Sequence, residues 1–158
     1  MNHTISMLLA GAASLLSISI QAATETCQPA REDDIAALFV RWNEDLQSGV
    51  PKQVVNNYAA NSLLLPTQSN TPRRSAAAKE DYFSHFMTKR PTGTIDSRMV
   101  QIGCTTALDT GLYTFHFADG SAVQARYTFT YKWYPQEQRW LITSHHSSTM
   151  PEETANTR

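Results

Sequence analysis

Two adjacent histidines, His145 and His146, are the residues whose type most readily suggests chemistry. Histidine changes charge near neutral pH and can act as base, hydrogen-bond donor or metal ligand. Spacing limits the last role. On a strand, neighbouring side chains point to opposite faces, so without a bulge the pair cannot grip one ion. One would face inward and the other away. No third or fourth ligand stands at metal-site spacing, so no metal site is expected. A histidine satisfied inside the core is the plainer alternative. The carboxylates lie elsewhere: Glu32 to Asp34 together, Asp96 and Asp109 in strand-like stretches, Asp119 beside Gly120. Asp96 and Asp109 qualify as a base only if they face a pocket. No glycine-rich phosphate loop, nucleophile elbow or nucleotide fingerprint occurs, and no cofactor is expected.

The 158-residue sequence has a formal net charge of −1. It has neither the basic stripe of a nucleic-acid binder nor a cationic helix for a membrane surface. An apolar run from Ile5 to Ile20, followed by Gln21, Ala22 and Ala23, reads as a signal peptide over residues 1–22. The mature chain is then periplasmic or secreted, without a membrane segment. In an exported chain the two cysteines, Cys27 and Cys104, read as a disulfide, two free thiols being the alternative. Residues 23–150 make one domain, and the polar stretch 151–158 a flexible tail.

The elements that must position these residues follow from periodicity. Ile35, Leu38, Phe39, Trp42 and Leu46 form one stripe of a helix over Arg31–Gln47. Pro51 opens a second short helix that turns Val54, Val55 and Tyr58 inward. Leu63 to Leu65 is a short buried strand, and Thr67 to Arg74 a loop. Ser75 caps a third helix, Ala76–Lys89, with Tyr82, Phe83, Phe86 and Met87 inward. From Thr94 the period falls to two: strands at Thr94–Ile102 and Ala107–Phe117, then a long hairpin. In its first arm Ala125, Tyr127, Phe129, Tyr131 and Trp133 alternate with polar residues. Its second arm is Arg139–Ser148. Helices first and an antiparallel sheet afterwards make an α+β fold.

This order resembles a nuclear transport factor 2-like cone, in which a curved sheet wraps around three N-terminal helices. More closely it resembles the association (hub) domain of calcium/calmodulin-dependent protein kinase type II and its bacterial stand-alone relatives. Three stretches carry the likeness: Ile35 to Asn43, Tyr82 to Pro91, and Tyr127 to Trp133 with Trp140 and His145 to Ser148. The resemblance implies a pocket between the helices and the inner sheet face. It nominates Trp42, Tyr58, Tyr82, Tyr113, Tyr131, His145 and His146 as ligand-binding, with Arg90 and Arg126 at the margins. At the positions of the hub's pocket arginines stand Thr114 or Tyr113, Tyr131 and Ser147. Only the histidine at His146 is retained, which points to a neutral or weakly polar ligand. The family name carries neither phosphoryl transfer nor calmodulin binding to this chain.

The expected function is an exported, non-catalytic domain that self-associates through its outer sheet face (Arg126, Thr128, Thr130, Lys132) and holds a small molecule. Homo-oligomers, dimer or higher, are the expected assembly. The rival is a cofactor-independent isomerase, dehydratase or cyclase acting on a carbonyl compound, with Tyr131 and His146 as its acid–base pair. A periplasmic protein-interaction module is the remaining alternative.

Overall fold

The computed structural model describes residues 26–152; the expected signal peptide lies outside them, as do residues 153–158 of the expected tail. In chain order come helices α1 (Glu32–Gln47) and α2 (Pro51–Val55), strand β1 (Tyr58–Leu65) and helix α3 (Ala76–Phe86). A 3-10 turn, Met87–Lys89, extends α3, and strands β2 (Thr92–Ile102), β3 (Thr106–His116), β4 (Ala122–Tyr134) and β5 (Arg139–Thr149) follow. The strands form one sheet ordered β1-β5-β4-β3-β2. All neighbours are antiparallel except β1 and β5, which run parallel. The α+β cone expected from the sequence is present. No helix among the described residues is long and apolar enough to cross a membrane.

The predicted stripe of α1 is buried in full: Ile35, Leu38, Phe39, Trp42 and Leu46. Phe39 meets Tyr113, Tyr127 and Phe129 of the sheet, with ring centroids 6.2–6.4 Å apart. Asn43 completes the docking with two hydrogen bonds to Gly93, donating Nδ2–H to its carbonyl (3.0 Å) and accepting its N–H at Oδ1 (2.8 Å). A side-chain amide thus pairs like a short piece of strand at the start of β2. Gly93 suits this approach, because an added Cβ would lie 3.1 Å from both Phe39 and Phe115.

Three elements depart from expectation. Tyr58 does not extend α2; that helix closes at Asn56, and Tyr58 opens a β1 longer than the Leu63–Leu65 segment. The parallel pairing with β5 overrides the local pattern here, since Tyr58 lies opposite Ile142. The third helix tightens to a 3-10 turn after Phe86 and ends at Arg90, which adopts a positive φ of 50°. Cys27 and Cys104 are joined, and Gln28 N–H bonds the Cys104 carbonyl at 2.8 Å, tying the N-terminal arm to the β2–β3 turn. Closing a loop of 77 residues stabilises by about 4.5 kcal/mol in the chain-entropy account.

Two bulges decide which side chains face inward. In β2 the register slips between Ile95 and Ser97, so Asp96 is the extra residue. Inward positions change from Gly93 and Ile95 to Arg98 and Val100. The slip presses β2 against β3 at Gly111, where a Cβ would collide with the Ser97 carbonyl. In β5 the slip sets Thr130 against Ser144 but Tyr131 against Ile142, leaving Thr143 as the extra residue. Trp140 and Ile142 face the core on one side of it, His145 and Ser147 on the other.

Candidate functional site

A cavity of about 320 Å3 lies between α1, the loop after β1, α3 and the inner face of β3, β4 and β5. The alternation of β3, carried one step past its end, gives it an aromatic wall, with Phe115 and Phe117 against Phe86 of α3, while β4 adds Val123 and Ala125. Trp42 closes it from α1, and Tyr82 stacks on Phe86 with planes 13° apart. At the deep end stand Tyr113, His145 and Ser147, none more than 5% exposed. Thr67, from the loop after β1, joins them. The mouth carries the exposed residues His85, Lys89, Asp119 and Ser121.

Two hydrogen-bond chains organise the deep end. In the first, the Trp42 indole N–H donates to the Tyr58 hydroxyl oxygen (3.1 Å), and that hydroxyl lies 2.8 Å from His145 Nδ1. An indole nitrogen can only donate, and among the described residues the Tyr58 proton meets no acceptor other than Nδ1. Tyr58 therefore donates to His145, whose hydrogen then sits on Nε2. That Nε2 is buried and has no hydrogen-bond partner among the described residues. Burial, and secondarily the neighbouring His146, lower the His145 pKa to about 3, so the ring stays neutral. Stacking on Phe129 at 4.0 Å and an edge contact to Trp42 fix its plane. The result is a rigid, uncharged imidazole beneath the cavity wall, its Nε2 closed off from the open space.

In the second chain Tyr113 donates to Ser147 Oγ at 2.5 Å, and Ser147 is bonded in turn to Thr67 Oγ1. Burial pushes the Tyr113 phenol well above its ordinary pKa, so it remains protonated. Tyr82 is likewise raised by burial, to about 12. The deep end therefore holds neutral hydroxyls and one neutral imidazole, with no charged group among them. At the mouth, Lys89 lies 5.6 Å from the Phe117 ring centre. Two hydrogen bonds from Ser121, the side-chain one foremost, hold the Asp119 carboxyl below its usual range.

Of the residues nominated from sequence, Trp42, Tyr82, Tyr113 and His145 line the cavity, and Tyr58 stands behind it as the bridge to His145. Tyr131 and His146 do not meet there. His146 is on the outer face beside Arg126 and Thr128, because the Thr143 bulge reverses the phase of β5. Counting in twos from Trp140 and Ile142 turns His146 inward; the extra residue turns His145 inward instead. Tyr131 is buried against Phe129, near Asp109 and Arg98, and its hydroxyl has no hydrogen-bond partner among the described residues. The proposed acid–base pair is thus split between two faces of the sheet. Arg126 bonds Ser148 outside, and Arg90 borders a separate groove with Leu46 and Pro91, so neither borders the cavity.

Neither strand carboxylate is a cavity base. Asp96 projects outward to Thr114 and Gln124. Asp109 faces inward and is fully buried, but its Oδ1 accepts from Arg98 Nε (3.1 Å) and the Tyr127 hydroxyl (2.8 Å), away from the cavity. Sequence reasoning missed Thr67 as a site residue, since nothing marks one threonine in a polar loop. Ser147 carried a signal: it follows His145 by two on the same strand face. Among the described residues, no group of three or more His, Cys, Asp or Glu side chains is gathered to hold a metal.

Residues 31–151 match the sequence pattern of the calcium/calmodulin dependent protein kinase II association domain. A Xanthomonas campestris structure described under that family shares 42% identity over 84% of this chain and 100% of its own, at a TM-score of 0.72. An iota-carbonic anhydrase from a cyanobacterium, solved in complex with bicarbonate, aligns at 17% identity over 86% of this chain and all of its own, with a TM-score of 0.70. A nuclear transport factor 2-like protein from Novosphingobium aromaticivorans aligns at 12% identity over 78% and 84%, with a TM-score of 0.64. Those two likenesses concern the fold alone. No curated protein sequence matches.

Proposed function

The chain belongs to the calcium/calmodulin dependent protein kinase II association domain family, and from that premise we propose that its cavity binds carbon dioxide and bicarbonate and interconverts them. The observation that carries this reading is the deep end of the cavity. There, uncharged polar side chains (His145 and the Tyr113–Ser147–Thr67 hydroxyls) stand together within aromatic walls. A structural relative bound to bicarbonate supports the choice of ligand.

The chemistry fits the donor set. Carbon dioxide is neutral and partitions readily into an apolar cavity. When water adds to its carbon, the electron pair of one C=O bond moves onto oxygen. Donors fixed in a low-dielectric site stabilise the charge that develops there. The Tyr113–Ser147–Thr67 hydroxyls suit that task, with His145 held neutral beside them. The hydroxyl chain can orient the water and pass on its proton by switching hydrogen bonds, without any standing base. A guanidinium at the deep end would retain bicarbonate; neutral donors let it leave.

The isomerase or cyclase alternative loses its base, because Tyr131 and His146 lie apart and no carboxylate lines the deep end. Non-catalytic binding remains as the second reading, favoured by the same lack of a standing base. Mass-spectrometric oxygen-18 exchange between carbon dioxide and water separates them. Exchange above the uncatalysed rate, lost in Ser147→Ala, supports hydration. Bicarbonate binding seen by carbon-13 NMR without exchange supports the binder, and neither signal would sink both.

The proposed setting is export and self-association. The leader-like residues 1–22 and the disulfide support the first, and N-terminal sequencing of mature protein checks it. Family membership and the polar outer face, with Arg126 and Lys132 exposed and Thr128 half-buried between them, support the second. A monomer by light scattering at working concentration would overturn it.

A further inference from the structure

We propose that His85, at the mouth of the cavity, is its proton exit: Nε2 takes the proton released inside and hands it to base in solution. The proposal rests on the hydration reading above. Two histidines line this one cavity, and their partners fix opposite tautomers. His145 has its lone pair on Nδ1 occupied by the Tyr58 hydroxyl and keeps its hydrogen on a buried Nε2. His85 Nδ1 lies 2.8 Å from the Asp81 carbonyl oxygen, which can only accept, so Nδ1 carries the hydrogen and Nε2 keeps its lone pair. The inner ring has no lone pair free, and the outer ring is a base.

The interior has nowhere to keep a proton. Burial holds His145 neutral and keeps Tyr113 as the phenol. Each hydration nevertheless releases one. The new O–C bond forms, an O–H bond of the attacking water breaks, and its electron pair stays on the bicarbonate oxygen. The proton moves by way of Thr67 and water at the mouth to the Nε2 lone pair, and a solvent base then removes it. Charged groups of both signs surround His85. On its own helix the Asp81 carboxylate is 4.0 Å from Nδ1, and Ser84 Oγ is 3.4 Å away. Lys89 follows one turn later, and Asp119 and Ser121 face it across the mouth. The side chain is 80% exposed, so solution base reaches it freely.

Steady-state hydration of carbon dioxide in dilute and concentrated buffer tests this on the full mature chain. His85→Ala is expected to lose roughly tenfold in kcat in dilute buffer with kcat/KM unchanged, and added imidazole restores it. His116→Ala, an exposed histidine outside the cavity, is expected to match wild type. Wild-type kcat for His85→Ala in dilute buffer, or a loss that imidazole does not repair, overturns the proposal. A wild-type chain that hydrates no carbon dioxide removes the hydration reading first and this one with it; an active wild type with an unaffected His85→Ala removes only this one.

Discussion

Under the inner face of the sheet lie two buried polar groups of similar make-up and opposite consequence. One is the deep end of the cavity, where Tyr113, His145 and Ser147 stand under Trp42. The other is the cluster of Arg98, Asp109, Tyr127 and Tyr131 beneath Phe39, where the Arg98 guanidinium lies 5.8 Å from the ring centre. Both contain phenols raised by burial, and both contain buried polar atoms without partners. In the cluster, Arg98 and Asp109 neutralise each other at 3.1 Å, and neither lines the aromatic cavity. In the cavity no charge is present at the deep end, and the neutral side chains of Tyr113, His145 and Ser147 border open space. Buried polar side chains are therefore read by what stands opposite them. A charge facing its counter-charge is structure; neutral polar side chains bordering space are a site.

The largest expected effect strikes the cluster. Asp109→Ala leaves the Arg98 cation without its counter-charge and should cost about 3 kcal/mol in urea unfolding, at the low end for buried pairs because the guanidinium is partly exposed. Replacing both, as Arg98→Met with Asp109→Leu, should recover most of that loss. If Asp109→Ala instead leaves stability intact and abolishes exchange activity, the division between structure and site is wrong.

The next effect reads the cavity through pH. His145 has its folded pKa lowered from 6.5 to about 3, so between those values the unfolded chain binds the proton that the folded chain refuses. Stability conferred by the neutral ring is thus complete above pH 6.5 and is lost as pH falls toward 3. From pH 6 to pH 4 the loss amounts to about 2.5 kcal/mol beyond that of a His145→Gln variant. Parallel unfolding curves for the two proteins across that interval would remove the claim that His145 is a buried neutral imidazole.

How much of this was legible beforehand varies with the physics involved. The helix stripe from Ile35 to Leu46 and the alternation from Ala125 to Trp133 are local patterns, and both elements form where they predict. The face of His145 and His146 was not legible. A bulge depends on pairing with a distant strand, and one extra residue at Thr143 reverses every side chain beyond it. Arg98 escaped notice for the same reason, through the bulge at Asp96. Thr67 is brought to Ser147 by the fold alone, across 80 residues of sequence. Tertiary geometry, rather than residue type, separates the cavity from the cluster.

The smallest effect is also the one that sharpens the comparison most. Tyr113→Phe removes a hydroxyl that donates to Ser147 but leaves the ring in place against Phe115 and Tyr127. Ser147 keeps Thr67 as a partner, so no buried group is orphaned, and stability should fall by only about 1 kcal/mol. Exchange activity or bicarbonate affinity should drop about tenfold, equivalent to about 1.4 kcal/mol, because the hydroxyl chain loses its anchor. In the cluster, Tyr127→Phe deletes a phenol with a similar hydrogen bond, to Asp109 at 2.8 Å, and should reverse the pattern. There the carboxylate loses a donor that supports its charge, so stability should fall by about 2 kcal/mol with activity per folded molecule unchanged. Two phenylalanine substitutions on neighbouring strands, one felt in function and the other in folding, would establish that the two polar groups do different work. Equal behaviour in both assays would mean that the cavity's hydroxyls are structural, as the cluster's are.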